Sequence, residues 1–220
     1  GQNELPDDSS CPKCKKILSK HPAVLPFLEQ RGINPAAAGY LFCRCEGEES
    51  IQARRLRLAN MPHCERGQAP RTFRSFERER EGVEDALNAA KRFAEGKGPH
   101  VLVLSGRTGC GKSHLLEAIG RRALERGLMV RYEFVPSMLD RIRATFEKRA
   151  ELTTEEMLGV YERVPLLILD DLGAEKATEW AGERLTAIVD SRYRSGKPLA
   201  VGTNLGKEDF TSLGLPRLAS

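Results

Sequence analysis

One stretch restricts the fold of this chain more than any other: Gly106-Arg107-Thr108-Gly109-Cys110-Gly111-Lys112-Ser113. It reads G-x-x-x-x-G-K-S, a loop that cradles phosphates and that works only between a strand and a helix. Both flanks are present. Val101-Leu102-Val103-Leu104 has the make-up of a buried strand, and His114-Leu115-Leu116-Glu117-Ala118-Ile119 continues as a helix. The glycines permit backbone turns that a β-carbon blocks. Loop N–H groups and the helix N-terminus then face phosphate oxygens. The expected nucleotide contacts are Gly106, Arg107, Thr108, Gly109, Cys110, Gly111, Lys112, Ser113 and His114. Lys112 reaches the terminal phosphates and Ser113 ligates Mg²⁺. Cys110 is read as a small residue rather than a nucleophile, and His114 as packing or capping behind the loop.

The rest of the chain agrees with that constraint. A helical pattern over 77–95 places Val83, Leu87, Ala90 and Ala94 on one face. Leu128–Phe134 reads as a second strand, and Pro136-Ser137 opens a helix with Met138, Leu139, Ile142 and Phe146 inward. Thr154 is placed to cap a short helix ending near Arg163. Pro165–Leu169 is a strand, 178–194 a helix with Trp180, Leu185, Ile188 and Val189 inward, and Leu199–Asn204 a last strand. Strands that are apolar throughout, rather than alternating, are buried on both faces, which predicts a parallel sheet covered by helices.

Two strand ends carry further chemistry. Leu166-Leu167-Ile168-Leu169 delivers Asp170 and Asp171 to the carboxyl edge of the sheet, where open α/β sheets bind ligands. Asp170 is expected to hold Mg²⁺ with Ser113 and water, and Asp171 to orient or deprotonate the attacking water. Thr203-Asn204 ends the last strand, where a polar side chain lies beside the γ-phosphate and positions water. Lys112, Asp171 and Asn204 are therefore the expected catalytic set.

Ahead of the sheet lies a different composition. Cys11-Pro-Lys-Cys14 and Cys43-Arg-Cys45 form two close pairs that complete a tetrahedral thiolate site for Zn²⁺. His21, His63 and Cys64 stand as alternative ligands. Six cysteines without an export pattern suggest reduced thiols and metal binding rather than disulfides. No apolar run approaches the ~20 residues of a membrane span, so a cytoplasmic protein without a membrane partner is expected. The net charge of +4 argues only weakly for nucleic acid. Arg141, Arg143, Lys148 and Arg149 on one helix, and Arg54-Arg55-Leu56-Arg57, are either solvated faces or phosphate contacts. Phe146 falls on the core stripe and reads as packing.

Taken together, Gly106–His114, Leu166–Glu175 (L-L-I-L-D-D-L-G-A-E) and Ile188–Leu205 resemble bacterial replicative-helicase loaders of the DnaC/DnaI type, which are AAA+ ATPases related to the IstB transposition ATPases. The front end (C-x₂-C…C-x-C, A-N-M-P, R-T-F-R-S-F) is similar to loaders that carry a zinc domain. The resemblance implies an α/β fold: a parallel-sheet P-loop AAA+ core, incomplete at its C-terminal end, behind a small Cys-rich zinc-binding domain. It divides the chain into a zinc-binding, helicase-interacting domain (1–60), a linker with the adenine-pocket segment Arg71–Glu77 (61–76) and the ATPase core (77–220). It makes Lys112 and Ser113 Walker A, Asp170 and Asp171 Walker B, and Asn204 sensor 1. It implies ATP, Mg²⁺ and Zn²⁺ as cofactors, and replicative helicase, single-stranded DNA and further copies of the chain as partners. Many AAA+ proteins have Glu where this chain has Asp171. The family's arginine finger is expected just beyond Ser220, with Arg217 a poorer match, so weak hydrolysis is expected and the P-loop strand becomes a sheet edge. An IstB-like ATPase that grips duplex DNA and recruits a transposase, and a nucleotide-binding adaptor without turnover, are the alternative readings.

Overall fold

A computed structural model describes residues 19–20, 41–42, 55–56, 58–62, 69–76, 83–146, 153–174 and 178–218. The chain divides into two units, Gly1–Leu58 and Ala59–Ser220. In the first, β1 (Ser19–Lys20) pairs antiparallel with β2 (Leu41–Phe42), Ser19 opposite Phe42. Cys11, Cys14, Cys43 and Cys45, together with His21, His63 and Cys64, lie outside the described residues. So do Glu77, Lys148, Arg149 and Glu175.

The second unit is a parallel sheet with helices on both faces. In chain order it runs α1 (Val83–Ala94), β3 (Val101–Ser105), α2 (Lys112–Glu125), β4 (Val130–Phe134), α3 (Val135–Ala144), α4 (Thr154–Arg163), β5 (Leu166–Leu172), α5 (Glu179–Arg194), β6 (Leu199–Thr203), α6 (Lys207–Ser212) and a 3₁₀ turn at Pro216–Leu218. Spatial order is β3-β6-β5-β4, every neighbour parallel. The phosphate-loop strand β3 is therefore an edge among the described strands. Among the described residues no helix is long and apolar enough to cross a membrane.

Alternate residues of the central strands feed the two faces. Leu167 and Leu169 of β5 and Leu199 and Val201 of β6 join one cluster with Met138, Ile142, Tyr161, Leu185 and Ile188 from α3, α4 and α5. Ile168 points the other way, to Gly120 of α2, where a β-carbon would meet its Cδ1 at 3.1 Å. Helix ends follow local chemistry. Thr153, not Thr154, caps α4, in a reciprocal capping box with Glu156. Thr178 caps α5 by accepting from the Ala181 N–H.

Two expectations need correcting. Phe146 follows the end of α3 and is 59% exposed, so it is not part of the core; the helical stripe ends with its helix at Ala144. The stretch 59–76, most of it read as linker, is partly core among its described residues. Ala59 and Met61 are buried, with the Met61 sulfur against Gly120, and Phe76 is buried against Gly111.

Candidate nucleotide-binding site

The site grows out of the carboxyl ends of β3, β5 and β6. After Ser105 the chain turns through Gly109 (φ +80°) and Gly111 (φ +101°), left-handed conformations that glycine adopts without strain. Gly111 is the N-cap of α2 and offers no side-chain cap, and the first turn holds no acid. The leading N–H groups of α2 are thus left to an anion, with the positive end of the helix behind them. Gly111 has a second reason to be glycine: a β-carbon there would sit 2.8 Å from Phe76 Cε2.

Lys112 lies across the loop. Its ammonium donates to Gly106 O (2.8 Å), Arg107 O (3.0 Å) and Asn204 Oδ1 (2.7 Å). The lysine of the first motif and the asparagine of the third, 92 residues apart, therefore share one hydrogen bond. Backbone contacts bind the same two segments: Gly106 N–H donates to Thr203 O (3.2 Å), and Ser105 Oγ to Leu205 O (2.5 Å). Thr203 itself does not face the loop. It is fully buried, donating to Leu172 O (2.7 Å) and accepting from the Leu205 N–H (3.0 Å). Of the Thr203-Asn204 pair, only Asn204 is available to a phosphate.

The two acids differ because β5 bulges. Leu169 pairs with Val201 and Leu172 with Thr203, so three steps on β5 oppose two on β6. The extra step is taken at Asp171, whose φ is +60°. Asp and Asn visit this region more readily than most residues, because a short polar side chain bonds locally. Asp170 is 8% exposed. Its Oδ2 accepts from the Tyr132 hydroxyl (2.6 Å) and its Oδ1 from the Asp171 N–H (3.0 Å). Asp170 Oδ1 also lies where a Gly202 β-carbon would come within 2.8 Å, so Gly202 leaves the carboxylate its room. Burial, then the charge of Asp170, holds the Tyr132 phenol well above the usual tyrosine range.

His114 packs behind the loop as the sequence suggests. Its Nε2 lies 2.9 Å from Thr72 O and 3.3 Å from Ser75 Oγ, and its ring meets Phe76 edge-on at 5.1 Å. Thr72 and Ser75 lock each other through reciprocal backbone-to-hydroxyl bonds. The Arg71 N–H reaches Glu117 Oε1, and Glu117 is fully buried beside Arg121 (2.7 Å). The segment Arg71–Phe76 is thereby fastened to the first turns of α2.

Ser113 and Asp170 offer a hydroxyl and a carboxylate at the carboxyl edge, an all-oxygen set suited to Mg²⁺. Among the described residues no three His, Cys, Asp or Glu side chains gather as a metal cluster. Of the basic residues on α3, Arg141 is committed within the fold and Arg143 is exposed. Arg141 pairs with the fully buried Glu133, which Arg131 also contacts at 2.6 Å. Arg143 lies over the Trp180 ring at 5.0 Å. Sequence reasoning also passed over Tyr132 and Arg192. Tyr132 sits between Arg131 and Glu133 on a short strand, and Arg192 within a charged run.

Residues 49–214 match the family described as IstB-like ATP binding protein. This chain belongs to that family. As an IstB-like protein it is similar to the replicative helicase loader DnaC of Escherichia coli K12, 29% identical over 144 residues, 64% of this chain and 58% of the relative. The chain thus spans little more than half the length of that relative. Among solved structures it is similar to the DnaC helicase loader, with a TM-score of 0.57, 22% identity, and coverage of 68% of this chain and 87% of the other. It is similar also to the replication initiator DnaA bound to AMPPCP and single-stranded DNA, with a TM-score of 0.60, 23% identity and coverage of 69% and 48%. At these identities the structures show that the fold of the IstB-like core is shared.

Proposed function

We propose that this chain is an ATP-switched loader that binds a replicative DNA helicase and delivers it to single-stranded DNA. The observation that carries the reading is the 2.7 Å bond from Lys112 to Asn204, which joins the phosphate loop to the end of β6. A γ-phosphate arriving at Lys112 competes with Asn204 Oδ1 and the loop carbonyls for the ammonium. Nucleotide state is thereby communicated to the β6–α6 connection, an order of events suited to a switch. In this reading the loop N–H groups and Lys112 hold the phosphates, Ser113 and Asp170 hold Mg²⁺, Asn204 positions water, and Asp171 orients it or takes its proton. Mg²⁺, when bound, neutralises charge on the phosphate oxygens. His114 holds the Arg71–Phe76 wall against the loop.

The helicase partner rests on the similarity to DnaC. The single-stranded DNA partner rests on Phe146, which meets Trp180 edge-on at 6.0 Å while Arg143 covers the same indole. The exposed Phe146 ring and the Arg143 guanidinium, beside the half-buried Trp180, offer a surface on which bases stack. Trp180 is the one tryptophan in the chain, so its fluorescence reports the contact: quenching by oligo(dT) that Phe146→Ala removes is expected. We assign Zn²⁺ to Cys11, Cys14, Cys43 and Cys45 on their spacing. Stoichiometric zinc, lost in Cys11→Ser, is the expected metal analysis. Self-association through the ATPase core completes the reading, with domain limits of 1–60, 61–76 and 77–220.

The deciding experiment is co-purification with the replicative helicase of the source organism, with and without ATP. An ATP-dependent complex, absent for Lys112→Ala, is expected; no complex in either condition refutes the loader. The family match itself favours a second reading, an IstB-like ATPase acting on duplex DNA. Filaments on duplex DNA without helicase affinity would select it.

A further inference from the structure

Tyr132 is 3% exposed in β4, the outer strand on the far side of the sheet from β3. The register sets it opposite Ile168, so its phenol reaches along β5 to Asp170. Each Asp170 oxygen then has one donor: Tyr132 Oη for Oδ2 and the Asp171 N–H for Oδ1. A carboxylate held at both oxygens cannot turn about its terminal bond without losing one of them.

Tyr132 is itself held from outside the sheet. Its N–H donates to Ala59 O (2.8 Å), and its carbonyl accepts from Asn60 Nδ2 (2.9 Å). The same amide lies 3.3 Å from Glu133 Oε2, and Asn60 turns the chain there with φ +56°. One short turn therefore satisfies both outward-facing backbone groups of a single residue of β4, the residue that bonds Asp170.

We propose that Tyr132 is a positioning residue for Asp170, orienting the carboxylate toward Mg²⁺, and that the Ala59–Asn60 turn sets its reach. This rests on the reading of Asp170 as a Mg²⁺-holding acid. Tyr132 is too deep to touch a nucleotide and acts through Asp170.

The experiment measures mant-ATP affinity of the full chain by fluorescence across a Mg²⁺ series and in EDTA. Tyr132→Phe keeps the ring and removes the donor. Its Mg²⁺ half-point should rise about tenfold, the order seen when an outer-shell partner of a metal ligand is lost. Its EDTA affinity should match wild type, and its thermal midpoint should fall because one buried Asp170 oxygen loses its donor. Asn60→Ala, which leaves the phenol in place, should shift the half-point in the same direction by less. Asp170→Asn is the reference. If Asp170→Asn shifts the half-point and Tyr132→Phe does not, Tyr132 has no positioning role. Equal loss of EDTA affinity and Mg²⁺-dependent affinity in Tyr132→Phe marks a packing role and also overturns the proposal. If Asp170→Asn leaves the half-point unchanged, the reading of Asp170 fails first and this inference falls with it.

Discussion

Arg192 should be the most expensive polar side chain to remove. It lies fully buried on α5, where its terminal nitrogens donate to backbone carbonyls. One terminal nitrogen donates to Tyr161 O (2.7 Å), Val164 O (2.9 Å) and, at longer range, Glu162 O (3.4 Å). The other donates to Pro198 O (2.5 Å) and Pro165 O (3.4 Å). Burial depresses its pKa to about 10. Replacing a buried ion by a hydrophobe is often neutral, but only when its partners are replaced too. Here the acceptors are backbone and stay behind. Two or three short bonds are lost, and each dry acceptor costs about 1–3 kcal/mol. Relief of the buried charge offsets part of this, leaving Arg192→Met destabilised by about 3–4 kcal/mol. For a unit of this size that lowers the thermal midpoint by roughly 10 °C. Urea unfolding followed by Trp180 fluorescence measures it. Arg192→Lys, with charge but no fork, should fall between. Pro165 and Pro198 precede β5 and β6, at the opposite strand ends from the phosphate loop, so mant-ATP affinity should be unchanged. An Arg192→Met protein as stable as wild type would refute the reasoning.

Three more outcomes are expected. Gly202→Ala puts a β-carbon 2.7 Å from Leu116 Cδ1 and 2.8 Å from Asp170 Oδ1; overpacking of about 1–3 kcal/mol should appear in urea unfolding, along with weaker Mg²⁺-dependent mant-ATP binding. Thr203→Val should cost about 1–3 kcal/mol of stability through the stranded Leu172 carbonyl, whereas Asn204→Ala should leave the unfolding midpoint nearly unchanged and alter the nucleotide response. In alkali the sign follows from two raised phenols: Tyr161 is pushed up to about 12 and Tyr132 well above 10, chiefly by burial. The folded state keeps those protons after the unfolded chain releases them. The phenols pull stability down between pH 10 and 12, by about 2–3 kcal/mol from Tyr161 alone, while the depressed Arg192 guanidinium pulls it up over the same window; Tyr161→Phe should therefore lose less stability than wild type from pH 10 to 12, and an unchanged alkaline slope would contradict it.

Much of the core and of the phosphate loop was legible because their signals are local. Apolar runs report burial on both faces, and the glycine spacing reports a turn that only one class of loop needs. The site's other half was not local. Asp170 is visible as an acid after a strand, but what aims it is Tyr132, 38 residues earlier on a neighbouring strand. Thr203 and Asn204 look equivalent in sequence; the direction of the strand's last pleat sends one into the core and the other to Lys112. Phe146 carried the right period for a core position, yet the helix ended before it, and periodicity has no meaning past a helix terminus. Arg192 resembled a surface charge because nothing local announces five carbonyls converging from two other segments.

The left-handed bulge at Asp171 bears on how interchangeable acids are at this position. Elsewhere, Asp and Glu differ by a methylene and its reach. Here the residue's handedness is part of the site, and the short acid is the one that tolerates it. Asp171→Glu therefore lengthens the side chain and at the same time presses the chain to leave the conformation that turns it outward. An engineer who swaps in the longer acid to speed the reaction must also redesign the strand.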